Sequence, residues 1–355
     1  MKSPFEHILF VGPHYKNHRG GIGAVLEIYA KNISPFNYIP TLSYKNKLYE
    51  LFFFSYAILR LIFVLITNRK IKLLHIHGAK DGSILRKAIV AFIGKRIFSK
   101  KIIFHIHAGA FDEKYINGNF IYRFLCRSLV NKTEAIIVLS NRWDDFFKSN
   151  FRIKRIMVIK NPVEQRTETP IINGRNGVVK FLFLGRIADH KGIFDLVNLI
   201  NDEQQNWRGK CKLFAGGNHE VDRLLKTIQD NQISDIVEYI GWTQDKEKDK
   251  YFKSCDYFIL PTYEEGMPMT ILEAYSYGKP VISTPVGSIP EILEHDHNGL
   301  MFEPGDMTAL KQLITTAINN PSLTNRLGKN ALLKASEFYP CAIKKELEKL
   351  YGEIL

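Results

Sequence analysis

The sequence predicts an α/β protein made of two doubly wound parallel-sheet domains facing a cleft, and three observations predict it. Its 355 residues are enough for two compact domains and more than most single domains use. Short apolar runs alternate with longer helical patterns along the whole chain, the order of strand–helix–strand units. Charge is split between the halves: 28 Lys or Arg stand against 11 Asp or Glu up to Pro170 (+17), and 21 against 25 after it (−4). Two domains with different partners account for that asymmetry. A basic face suits nucleic acid, anionic lipid or a phosphorylated substrate, and the count alone does not choose among them.

In the first half the strand candidates are 7–11, 73–77, 102–106, 135–139 and a short 156–159 ending at Asn161-Pro162. Their runs are apolar without strict alternation, as expected of strands covered on both faces. From Glu164 to Gly177 the chain turns polar and rich in Thr, Asn, Pro and Gly, the composition of a linker. A second series follows at 179–184, 211–215, 237–240, 257–260, 280–283 and 299–302. The predicted organisation is a first domain over 1–165, a linker over 166–177 and a second domain over 178–338. An amphipathic helix over 339–355, after Pro340, is expected to pack back on the first domain.

Composition excludes several classes. Cys126, Cys211, Cys255 and Cys341 form no Cys-x-x-Cys pair, which argues against a zinc knuckle or disulfide framework and suits a reducing compartment. The N-terminal apolar run is short and lacks a small-residue cleavage site, so it reads as a strand rather than a signal peptide. The stretch 51–66 is apolar apart from Ser55 and Arg60. Sixteen such residues fall short of the roughly 20 needed to span a bilayer. It is expected to pack in the core or to lie at a membrane interface, helped by Lys45, Lys47, Arg69 and Lys70.

Two segments carry the chemistry. In 181–194 (FLFLGRIADHKGIF) an apolar strand ends near Gly185, Arg186 follows it, and Lys191 precedes a helix. Two cations beside a helix N-terminus at a strand end suit a diphosphate. In 257–280 a strand ends at Pro261, a loop carries Glu264 and Glu265, and Pro268 suits the start of a helix containing Glu273. The first-turn amides of that helix can take phosphate oxygens. Glu265 can accept from sugar hydroxyls and Glu273, among Ile271, Leu272 and Ala274, from a ribose. A carboxylate among such neighbours needs partners.

Gly185-Arg186-x4-Lys191 followed by Glu265-x7-Glu273 resembles the retaining GT-B glycosyltransferases of family four, the glycosyl transferases group 1 set. The resemblance runs from about 179 to 306 through Cys211–Gly217, Val237-Glu-Tyr-Ile-Gly241-Trp242, Gly278-Lys-Pro280, Gly287-Ser-Ile-Pro-Glu291 and Pro304-Gly-Asp306. It implies two Rossmann-like domains, a nucleotide-sugar donor of UDP or GDP type and retention of anomeric configuration. It assigns Arg186, Lys191 and Met269 to the donor diphosphate, and Trp242 and Glu273 to the nucleoside. Glu265 is implied as a catalytic residue that, with the backbone of Gly266, Met267 and Pro268, holds the transferred sugar. No metal or other cofactor is implied, and the chain contains no Asp-x-Asp; Arg, Lys and a helix N-terminus can stabilise a leaving diphosphate instead.

In the first half, Asn17-His18-Arg19-Gly20-Gly21-Ile22-Gly23 resembles the family's glycine loop, with Gly21 near the donor phosphates. His75-Ile-His77 and His105-Ile-His107 each place both rings on one strand face. A metal site there lacks a carboxylate or thiolate partner at suitable spacing. By resemblance His107 is the active-site histidine, and the other three are structural. The expected acceptor is a glycan or lipid-linked hydroxyl in bacterial cell-surface polysaccharide or lipopolysaccharide assembly. The expected location is cytoplasmic, with peripheral contact to an anionic membrane surface. Two alternatives stand beside this reading: a sugar-nucleotide isomerase or phosphorylase of the same fold, and a non-enzymatic binder of anionic ligands. No nucleic-acid partner is expected, because no nucleic-acid module is recognisable.

Overall fold

The computed structural model describes residues 3–16, 20–43, 45–78, 82–107, 109, 111–166 and 177–355. The chain forms two compact units, Met1–Pro162 with Tyr339–Leu355, and Val163–Phe338. Residues 167–176, most of the expected linker, lie outside the described residues, as do Asn17, His18 and Arg19 of the glycine loop.

The first unit holds six parallel strands: β1 (Ile8–Gly12), β2 (Tyr38–Pro40), β3 (Leu73–Gly78), β4 (Lys101–Ile106), β5 (Ala135–Val138) and β6 (Ile156–Val158). Their order is β2-β1-β3-β4-β5-β6. Helices α1 (Gly21–Asn32), α2 (Lys47–Thr67), α3 (Gly82–Phe92), α4 (Phe111–Ile116), α5 (Phe120–Val130) and α6 (Trp143–Asn150) connect them. The end of α3 widens into a π turn over Ile93–Ile97. Leu61 and Leu65 of α2, Ile84 and Val90 of α3, and Cys126 and Leu129 of α5 share one buried cluster with Leu74, Ile102 and Ile136.

Helix α2 corrects the sixteen-residue reading of 51–66. It has 21 residues, starts four earlier, and is long and apolar enough to cross a membrane by length and composition. Its start is fixed by Asn46, whose side chain accepts from the Tyr49 amide at 2.9 Å. Nor is it wholly a core helix: Ala57, Leu61 and Leu65 are buried, whereas Leu51, Phe52, Leu59, Phe63 and Ile66 are exposed.

The second unit holds β7 (Val179–Ile187), β8 (Cys211–His219), β9 (Val237–Tyr239), β10 (Tyr257–Leu260), β11 (Val281–Ser283) and β12 (Gly299–Met301), all parallel. Their order is β12-β11-β10-β7-β8-β9. Between them run α7 (Ile193–Asp202), α8 (Gln204–Trp207), α9 (Val221–Asp230), α10 (Asp245–Ser254) and α11 (Met269–Ser276), and after β12 come α12 (Met307–Asn319) and α13 (Pro321–Ala335). The chain winds outward from β7 through β8 and β9, returns to β10 on the other side, and continues to β12. The order therefore reverses between β7 and β10, and ligands of open α/β sheets bind beyond the carboxyl ends at that reversal. The last helix, α14 (Pro340–Ile354), belongs to the first unit.

Candidate active site

Apart from Trp242, the residues singled out in the second unit lie at the end of β7 or follow β7 and β10, the two strands flanking the reversal. Strand β7 runs two residues beyond Gly185, pairing Arg186 with Asn218 and Ile187 with His219 of β8. Arg186 is thus part of the strand end; it is exposed and makes no hydrogen bond or ion pair among the described residues. A short 3-10 turn over Asp189–Lys191 then leads into α7 through Gly192.

Gly192 has φ +68°, and a Cβ there would lie 1.9 Å from the Pro261 carbonyl at the end of β10. Only glycine fits both conditions. The two loops are also stitched together, because His190 O accepts from the Tyr263 amide at 2.9 Å and from Thr262 Oγ1 at 3.1 Å. On the opposite flank Gly287, φ +61°, would place a Cβ 2.1 Å from Glu265 O. The segment from Pro261 to Glu265 is thereby held from both sides.

That closeness brings Lys191 onto Glu265. Lys191 Nζ lies 2.6 Å from Glu265 Oε1 and donates to Glu264 O at 2.8 Å, and both side chains of the pair are 15% exposed. Lys191 is therefore tied to the loop rather than a free cation. Burial raises the Glu265 carboxyl above its ordinary range; Lys191 pulls it down and Glu264 adds to the rise.

Helix α11 begins at Met269 with Pro268 as its N-cap residue. Its first amides lack partners within the helix. Gly266 is half-buried, and Met267, Pro268 and Met269 are buried beside it. Glu273, the fifth residue of α11, finds the partner its surroundings demand in Lys248 of α10, Nζ to Oε1 at 2.6 Å. Sequence reasoning missed Lys248. The available signal was its place in an exposed helix directly before β10, where one long cation can reach a neighbouring carboxylate. Behind it, Asp249 accepts from Tyr277 and pairs with Arg166, whose guanidinium lies 4.4 Å from the centre of the Tyr277 ring. Trp242 follows Gly241 beyond β9 and is 40% exposed.

In the first unit, Gly21 is the first residue of α1, after Gly20 in extended conformation. All four histidines project from one face of β3 and β4 and form two hydrogen-bonded pairs. His75 Nε2 meets His105 Nδ1 at 3.2 Å and His77 Nδ1 meets His107 Nε2 at 2.9 Å. The pairs stack, with His75 over His77 at 4.3 Å and 9° and His105 over His107 at 4.1 Å and 26°. His75 Nδ1 is also 2.5 Å from Tyr351 OH of α14.

Nitrogens of His75, His77 and His105 lie within 4.8 Å of one another. His75 Nε2 and His105 Nδ1 are already hydrogen-bonded to each other, and the group contains no carboxylate or thiolate. Burial depresses all four pKa values: His75 to about 3, His77 and His105 well below the usual imidazole range, and His107 to about 4 against an opposing hydrogen bond with Asn161. The tetrad is neutral at pH 7. Nearby, Lys87 of α3 is buried with its ammonium on Thr41 Oγ1 and is pushed down to about 7 by burial and by Arg86. Sequence reasoning missed it too, since nothing marks that lysine as buried.

Residues 165–334 match the family described as glycosyl transferases group 1. An uncharacterized glycosyltransferase of Methanocaldococcus jannaschii is 27% identical over 82% of this chain and 78% of its own length. The amylovoran biosynthesis glycosyltransferase AmsK of Erwinia amylovora is 24% identical over 67% of this chain and 66% of its own. The solved Anabaena protein HepE, in complex with UDP, superposes with a TM-score of 0.76 at 19% identity, covering 98% of this chain and 99% of that one. Residues 165–334 thus resemble the group 1 glycosyltransferases, and the chain's two parallel sheets have the GT-B fold.

Proposed function

We propose that the chain transfers a sugar from a UDP- or GDP-type nucleotide sugar to a hydroxyl of a glycan or lipid-linked acceptor, with retention of configuration. The observation that carries this reading is the seating of two carboxylate–lysine pairs, Lys191–Glu265 in the loop before α11 and Lys248–Glu273 in its second turn. They flank the strand-order reversal where a nucleotide is expected. The naming of UDP as the ligand of HepE supports the donor class. The likeness to an amylovoran biosynthesis enzyme supports a role in bacterial surface polysaccharide.

In this proposal Arg186, Lys191 and the amides at Met269 take the donor diphosphate. Glu265 and the backbone of Gly266, Met267 and Pro268 hold the transferred sugar. Glu273 accepts from the ribose, and Trp242 offers its exposed indole face to the base. Gly21 and His107, in the first unit, serve the phosphates and the acceptor side; His107 acts as a neutral imidazole. The bond from the sugar anomeric carbon to the diphosphate oxygen breaks, with its electron pair leaving on the diphosphate. The acceptor oxygen bonds to the same carbon on the same face, and its proton passes to the departing phosphate oxygen. No metal takes part, and the reaction occurs on the cytoplasmic side.

The test is a panel of nucleotide sugars, with and without acceptor glycans, in EDTA. Release of nucleoside diphosphate and an α-linked product from an α-linked donor support the reading. A product of inverted configuration removes retention. Full loss of turnover in EDTA, restored by magnesium or manganese, removes the metal-free chemistry. Conversion of the donor without any acceptor favours the isomerase alternative.

A further inference from the structure

We infer that the outer face of α2, α3 and α5 is a docking surface for an anionic lipid bilayer. The inference rests on the first unit alone and is independent of the donor chemistry proposed above.

Among the described residues, 21 large apolar side chains are exposed, and 16 of them lie between Leu48 and Phe124. Right-handed crossovers from β2 to β3, β3 to β4 and β4 to β5 place α2, α3 and α5 on one face of the sheet. Their inward residues share one buried cluster. Their outward residues therefore look the same way. On α2, Phe52, Leu59, Phe63 and Ile66 are each more than half exposed. Leu85, Ile89 and Phe92 repeat at helical spacing along the outside of α3, and Phe120 and Phe124 mark the start of α5. A 21-residue helix is roughly 30 Å long. An apolar face of that length across three helices is far larger than scattered surface hydrophobics require.

Charge selects the occupant. Exposed cations border the face at Lys45, Lys47, Arg60, Arg69, Lys70, Arg96 and Arg123. Helices α3 and α5 and the π turn contain no Asp or Glu. The single acid of α2, Glu50, accepts from the Ser43 and Lys45 amides at 3.0 and 2.9 Å and is held by that loop. A second copy would set the same cations against these. An anionic bilayer brings opposite charge around an apolar interior, the pairing that holds interfacial helices. Because Ala57, Leu61 and Leu65 keep α2 on its own sheet, the helix lies along the membrane surface.

The full chain is floated with vesicles of phosphatidylglycerol and phosphatidylcholine in equal parts and with phosphatidylcholine alone. Flotation is expected with the anionic vesicles, weaker with the neutral ones and weaker at high salt. Phe52→Glu with Phe63→Glu is expected to lower partitioning at least tenfold, with circular dichroism and thermal melting confirming the fold. The conservative Phe63→Trp serves as a second readout, its emission shifting to the blue on adding anionic vesicles. Absence of flotation, unchanged flotation of the double variant, or no blue shift overturns the inference. So does a lipid-free dimer in sedimentation that the same double substitution disperses, since the face is then covered by a second copy.

Discussion

Replacing Lys191 by Ala separates a catalytic from a structural role more sharply than any other change in this protein. The cation is 2.6 Å from Glu265, both partners are 15% exposed, and Lys191 also holds the Glu264 carbonyl. Removing one partner of a fully buried pair costs about 3–5 kcal/mol because a desolvated charge is stranded. The remaining exposure brings the expected cost here to about 2–3 kcal/mol, or a fall of roughly 5–10 °C in the melting of the second unit. The cost also depends on pH. The Glu265 carboxyl already sits above its ordinary range because of burial, and losing Lys191 raises it further. A carboxyl whose folded value is raised favours the folded state at low pH. That advantage is lost as pH rises from the unfolded carboxylate range through the folded value. The Lys191→Ala deficit is therefore smaller at pH 5 than at pH 8, and Glu265→Gln in the same chain should recover much of the pH 8 loss. Turnover should fall by roughly 10²–10³-fold and stay low in the double variant, since the charge proposed to face the leaving diphosphate is gone. Melting curves at both pH values and product formation at saturating donor measure the two effects. An equal deficit at pH 5 and 8 refutes the stranded-carboxylate argument, and near-normal turnover refutes the diphosphate assignment.

Arg186→Ala should lower turnover by a similar roughly 10²–10³-fold with an unchanged melting temperature, because the side chain is exposed and has no partner among the described residues; a large loss of stability refutes this. Glu273→Ala should weaken binding of free nucleoside diphosphate about tenfold, as for loss of one hydrogen bond to a charged group. Glu265→Ala should leave that affinity nearly intact while impairing use of the sugar, and titration calorimetry showing the reverse order refutes the placement along α11. The histidine tetrad predicts acid lability of the first unit. Each imidazole has a folded pKa depressed by burial, His75 to about 3 and His107 to about 4. Their stabilising effect is present above the usual imidazole range and is lost as pH falls through it. Melting of the first unit should therefore decline between pH 7 and 5, and an NMR titration of any of the four near pH 6.5 refutes it.

Much of this architecture is legible in the sequence because parallel strands buried on both faces leave continuous apolar runs. Tyr257–Leu260 is such a run, bounded by Asp256 and Pro261, and its predicted ends coincide with β10. Strand β2 left no such trace: it has three residues, lies at the sheet edge and ends on Pro40, where a ladder donor is missing. The extension of β7 to Ile187 was hidden for another reason. The apolar run stops at Leu184, but Gly185 opposite Gly217 lets the two backbones stay paired. For the site, residue types at strand ends pointed to Arg186, Lys191, Glu265 and Glu273. Which side chains satisfy one another is a matter of three-dimensional reach, so the place of Lys248 before β10 was a weak signal that did not single out Glu273 as its partner. The apolar stretch 51–66 understates α2 because the helix start is set by Asn46, which lies outside that stretch.

The connectivity of the units has a consequence for synthesis. The second unit is an insertion between β6 and α14 of the first, and its two ends meet where the Val163 amide donates to Phe338 O at 2.8 Å. Tyr351 of α14 reaches into the first unit, against Phe5 at 5.6 Å and onto His75. A growing chain thus displays the first unit without its closing helix while some 176 residues of the second, 163 to 338, are being made. The half that begins first is completed last, and it is also the half with the large apolar face. On a ribosome, where domains fold as they emerge, the second unit is made before α14, and the emergence of α14 is the event that closes the first.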